Sequence, residues 1–166
     1  MIMSSQEKYL WIIRHAKSAR PFGVDDMQRP LNERGERDGV VMSKQLANAD
    51  HAPEKLLVSD ALRTTLTAEL VNAELQAEIE LVPELYSANS SDVESLMWGL
   101  DDETTSVAIV THLPTIERCL WASKNRKQVD FFPTLGMACL EYIGPWHSFN
   151  FRSTVVRDFM IPRSFR

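Results

Sequence analysis

The residues able to do chemistry stand at three separated points of the chain: Arg14-His15-Ala16-Lys17-Ser18, Arg63 and His112. An imidazole beside fixed positive charge suits attack on an anionic centre, because the cations hold oxyanions while the ring supplies a lone pair. Phosphate is the natural guest of such a set. Each point follows a short apolar run: Tyr9 to Ile13 precedes Arg14, Leu56 to Val58 precedes Ser59 and Asp60, and Ser106 to Thr111 precedes His112. Such runs read as buried parallel strands, and ligands of open α/β sheets bind at the carboxyl ends of those strands.

Arg63 carries an argument of its own. It falls in the first turn of a helix predicted from about Ala61 to Leu75, with Leu62, Leu66, Leu70 and Ala73 as its apolar stripe. A cation there opposes the helix dipole unless an anion lies between them. The plainer alternative is a surface ion pair with Asp60 or Glu69.

The remaining elements must position these groups. Ala19 to Pro30, with two prolines, a glycine and two aspartates, reads as a loop leaving directly from the first point. Asn32 caps a helix running to about Asn48, with Val40, Met42, Leu46 and Ala47 on its inner face. A third strand spans Ile79 to Val82, and Pro83 to Ser87 follows as a loop. Ser91 and Glu94 have capping-box spacing ahead of an amphipathic helix bearing Val93, Leu96, Met97 and Leu100. Pro114 opens a helix carrying Ile116, Cys119, Leu120 and Trp121. Leu135 to Ile143 and about Ser153 to Phe159 read as strands. Strands alternating with helices predict an α/β sandwich, with a largely parallel central sheet and antiparallel strands near the carboxyl terminus.

Composition excludes several classes. A chain of 166 residues, 44% hydrophobic and 25% charged, makes one domain. Its net charge of -5 gives no broad basic footprint, so nucleic acid is not an expected partner. Nothing approaches the roughly 20 apolar residues of a membrane span, so a membrane is not expected either. Cys119 and Cys139 sit among apolar residues and read as reduced, buried thiols, which predicts a cytoplasmic protein. His51 and His147 fall in turns, the four tryptophans read as packing, and Lys124 to Lys127 forms a basic loop suited to solvent or to an acidic partner.

Taken in order, Arg14-His15-Ala16-Lys17-Ser18, Arg29 to Gly35, Ser59 to Arg63 with Thr67-Ala68, Pro83 to Tyr86, and Thr111 to Pro114 resemble the histidine phosphatase superfamily. This family is also called phosphoglycerate mutase-like, and the likeness extends to its small SixA-like phosphohistidine phosphatase branch. The resemblance implies a single domain over 1–166 without a large cap insertion, and a three-layer α/β/α sandwich of phosphoglycerate mutase-like form. It implies a monomeric phosphatase that needs neither metal nor cofactor and acts on a phosphorylated protein or a small phosphorylated molecule. His15 would attack phosphorus and carry it as phosphohistidine, with Arg14, Arg63 and His112 holding the oxygens. Lys17, Ser18 and Asp26 would join the binding surface, and Glu84 is the candidate acid.

Thr111, Leu113 and Leu66 depart from the residues usual in that family. Three competing readings are a catalytically silent phosphate-binding module, a small-molecule phosphomonoesterase of the same family, and a metal-dependent hydrolase using His15 and His112. The last lacks any His-Glu-x-x-His run.

Overall fold

In the computed structural model, which describes residues 7–124, 129 and 131–166, hydrophobic alternation in the first strand sets the architecture. Along β1 (Glu7–Arg14), Leu10 and Ile12 enter one core while Tyr9, Trp11 and Ile13 enter the other. A strand buried on both faces must lie centrally, with helices covering each side. The described strands β1, β2 (Lys55–Val58), β3 (Glu78–Leu81), β4 (Ser106–Thr111), β5 (Met137–Ile143) and β6 (Val155–Met160) form one sheet in the order 3-2-4-1-5-6. Strands β3, β2, β4 and β1 run parallel, while β5 and β6 pair antiparallel. The architecture is therefore the expected α/β sandwich.

Helices α1 (Glu33–Ala47) and α2 (Leu62–Leu75) cover one face through Met42, Leu46, Ala68 and Val71. Helices α3 (Ser90–Trp98) and α4 (Leu113–Ala122) cover the other through Val93, Met97, Ile116, Cys119 and Leu120. Four details differ from the sequence reading. The Asn89 and Asp92 pair, rather than Ser91 and Glu94, forms the capping box of α3, each satisfying the other's backbone N–H. Val40 and Trp121 point outward, 63% and 70% exposed.

On α2 the fully buried face is not the leucine stripe but Arg63, Thr64, Thr67, Ala68 and Val71. Leu62, Leu66 and Leu70 lie at its margin, and Ala73 is exposed. The helix is turned so because its polar residues line the site and hydrogen-bond the segments around it. The Pro83 to Tyr86 segment is a single 3-10 turn, tied down where Thr111 Oγ1 donates to the Leu85 carbonyl at 2.7 Å. Thr111 thus gains a structural bond from its departure. Of the basic loop, Lys124 is exposed, and 125–127 lie outside the described residues.

The Asn32 side chain caps α1 by accepting the Gly35 N–H at 2.8 Å, and this first turn rests on the segment after β1. There the absence of a side chain matters, because a Cβ at Gly35 would stand 2.2 Å from the Lys17 carbonyl oxygen. Gly35→Ala is expected to destabilise the protein by about 2–3 kcal/mol through forced separation of α1 from the Lys17 segment. Gly99→Ala meets nothing closer than 3.8 Å, and its expected change stays within about 0.5 kcal/mol. Thermal unfolding of both variants beside the wild type checks the contrast.

Candidate active site

His15, Ser59 and His112 are each the first residue beyond their strand, in β1, β2 and β4. Those strands are neighbours in the order β2-β4-β1, with Arg14 opposite Thr111 and Val58 opposite Val110. The register carries on one step past the sheet: the His15 N–H donates to the Thr111 carbonyl and the Ser59 N–H to the Val110 carbonyl. Sheet hydrogen bonding therefore converges residues that are far apart in the chain. The His15 and His112 rings lie with centroids 5.5 Å apart.

His15 is 8% exposed, and its Nδ1 lies 2.7 Å from the Ala16 carbonyl oxygen. A carbonyl only accepts, so Nδ1 carries the proton and Nε2 keeps its lone pair. Burial, joined by the charges of His112, Arg63 and Arg14, pulls the His15 pKa down to about 3, although the Ala16 bond works the other way. The ring is neutral at physiological pH. His112 follows the same logic in mirror image. Arg63 Nη2 can only donate to its Nδ1, at 3.3 Å, so its Nε2–H donates to the buried Ser59 hydroxyl at 2.9 Å. Burial and Arg63 hold the His112 pKa down near 4.

The two arginines are braced from behind. Arg14 Nη1 donates to the Phe132 carbonyl, and the Leu135 N–H bonds the carbonyls of both Arg14 and His15. Arg63 Nη1 donates to the Asp26 carbonyl at 2.6 Å and Nη2 to its carboxylate at 2.9 Å. The anion demanded by a cation at this helix start is thus Asp26, not Asp60 or Glu69. What remains is telling: Nε of Arg14 and Nε of Arg63 are buried donors without a partner among the described residues. Unpaired buried guanidinium N–H groups are costly, and an acceptor that reached either one would relieve that cost.

Asp26 also accepts from Arg29 and from the Tyr86 hydroxyl, and these bonds, Tyr86 foremost, hold its carboxyl far below the usual range. Arg29 further donates to the Ser18 hydroxyl and the Ala19 carbonyl. Tyr86 presents its ring edge-on to His112, with centroids 5.3 Å apart. Lys17 is exposed, with only its backbone carbonyl engaged, by the Asn32 N–H. Glu84 is exposed too and makes no hydrogen bond or ion pair with a described residue. Among the described residues, no group of three or more His, Cys, Asp or Glu is placed to hold a metal.

Arg29, Ser59, Thr67 and Tyr86 stand within the motifs of the sequence but carry no role there, and the structure supplies one for each. Thr67 Oγ1 donates to the Arg63 carbonyl and accepts the Ala16 N–H at 2.9 Å, pinning the segment after His15 to α2. Its place four residues after Arg63 was a usable signal, since both then share a helix face.

The family model for the histidine phosphatase superfamily (branch 1) matches residues 10–100, more than half of the chain. The chain belongs to the histidine phosphatase superfamily. An uncharacterised Mycobacterium leprae protein is 31% identical over 91% of this chain and all of its own length. A candidate phosphohistidine phosphatase SixA from Agrobacterium tumefaciens superimposes with a TM-score of 0.79, at 28% identity over 93% of this chain and 98% of its own. One from Nakamurella multipartitia reaches 0.85 at 21% identity, covering 94% and 96%. This member is therefore a SixA-like histidine phosphatase with phosphoglycerate mutase-like architecture.

Its two buried imidazoles make stability depend on pH. Both pKa values lie below the unfolded value of about 6.5, so acid drives protons onto the unfolded chain first. Stability from these rings is complete above pH 6.5 and is lost as pH falls toward 4 and then 3. The melting temperature is expected to drop between pH 6.5 and 4.5. Replacing His15 and His112 by Asn is expected to flatten that slope, measured by thermal unfolding against pH.

Proposed function

We propose that this superfamily member is a metal-independent phosphohistidine phosphatase that passes the phosphoryl group through His15. The observation that carries the reading is the neutral, oriented His15 ring with a free Nε2, set among cations of which two present unpaired N–H donors. Nε2 attacks phosphorus in line, the bond from phosphorus to the leaving nitrogen breaks, and the departing imidazole takes its proton from water. A second water then attacks the phosphoenzyme, releasing orthophosphate and restoring His15. Arg14 and Arg63 hold the non-bridging oxygens throughout, and donors fixed in advance need not reorganise as charge moves; His112, its Nε2–H spent on Ser59 and its Nδ1 accepting from Arg63, orients that guanidinium.

The leaving group follows from the acids. Asp26 is locked as a carboxylate by three donors, and Glu84 stands apart from the bonded cluster. An alkoxide needs a strong proton donor, whereas imidazole leaves far more readily, so this site favours phosphoramidates over alkyl phosphates. Cys119 and Cys139 are free, buried thiols whose pKa values burial pushes up, in keeping with a reducing, cytoplasmic setting.

Reaction with a labelled phosphohistidine donor is expected to leave acid-labile, alkali-stable phosphate on His15 and to release orthophosphate. His15→Ala is expected to lose at least about a thousandfold in turnover while still binding phosphate. Label on another residue, or turnover surviving in His15→Ala, sinks the mechanism; binding without any turnover by the wild type supports a silent phosphate module instead.

A further inference from the structure

The loop 19–30 combines a rigid base with a bare apolar tip. At its base, Ser18 bridges Leu31, the Ala19 N–H donates to the Pro30 carbonyl, and Arg29 ties Ser18, Ala19 and Asp26 together. Asp26 then grips Arg63 and Tyr86. At the tip, Pro21 to Val24 make a tight turn through the left-handed Gly23 (φ 77°), and Phe22 is 105% exposed. A phenylalanine can bury on the order of 150–250 Å². Here it buries none.

Val24 is also exposed, at 38%, and the exposed Lys17 and Arg20 make no ion pair with a described residue. The exposed Asp25 offsets one of these two charges. A net positive, apolar rim on a chain of charge -5 complements a surface that is both acidic and apolar.

We propose that this arm recognises the polypeptide that carries the phosphohistidine, with Phe22 covering an apolar side chain and Arg20 pairing with an acidic one nearby. This rests on the phosphohistidine phosphatase reading above. The arm suits a macromolecule because its fully exposed tip stands no more than about 14 Å along the chain from Asp26, so a partner whose phosphate is held by Arg63 can meet it with the surface around that phosphate. Because Asp26 at the base holds Arg63, a partner docked on the tip is registered against the same guanidinium that binds its phosphate.

The test compares three substrates: free phosphohistidine, a phosphohistidine peptide flanked by leucine and glutamate, and one flanked by glycine and lysine. The wild type is expected to prefer the leucine and glutamate peptide by about tenfold in kcat/KM, chiefly through KM. Phe22→Ala and Arg20→Ala remove no packing or ion pair within the described structure, so both variants are expected to fold. Each is expected to erase most of that preference and to leave turnover of free phosphohistidine within about twofold.

Equal loss on all three substrates, or no loss on any, overturns the docking role. A wild type that hydrolyses all three alike overturns it as well, while leaving the phosphatase reading intact. A wild type that hydrolyses none removes both.

Discussion

The bond from His15 Nδ1 to the Ala16 carbonyl is the constraint on which the site depends. Without it the ring would be free to present either nitrogen, and a proton on Nε2 would remove the nucleophile. The bond is short-range in sequence but fragile on its own, since the carbonyl must be held in place. That holding is distributed. The Ala16 N–H is fixed by Thr67, the Lys17 carbonyl by Asn32, and the His15 carbonyl by Leu135, so three separate elements freeze one peptide turn. Leu135 adopts a left-handed backbone (φ 57°), a conformation a branched side chain takes only when its surroundings enforce it.

Electrostatics then follows from burial. Two imidazoles next to two guanidinium groups are kept neutral because each added proton would meet both desolvation and like charge. The cations are held in place by being braced on their outer nitrogens. Arg63 leans on Asp26 and Arg14 on the Phe132 carbonyl, which leaves their Nε–H groups without a partner among the described residues. An anion binding there replaces a standing deficit of hydrogen bonds rather than competing with existing ones.

Much of this was legible in the chain. Short apolar runs ending in Arg14-His15, Ser59 and His112 reported strand ends, and burial of both faces of β1 made parallel pairing the consistent choice. Where the fold departs from the local pattern, the departures share one cause. On α2 the spacing of the leucines predicts the core stripe, yet Thr64 and Thr67 are fully buried because their hydroxyls have backbone partners at Ser59, Ala61 and Arg63. Hydrophobicity alone points Val40 and Trp121 inward, but it says what a residue tolerates and not which way a neighbouring helix leaves it facing, and both are exposed.

By itself, the sequence determined the type and order of the elements and the identity of the reactive groups, because periodicity, capping residues and strand-end chemistry are local properties. It did not determine which nitrogen of His15 carries the proton, that Asp26 rather than Asp60 or Glu69 neutralises Arg63, or that Tyr86 stands against His112. Those were decided by sheet order and by a loop folding back over 37 and 60 residues of chain. Contacts between distant segments depend on register and packing, and no local pattern encodes them.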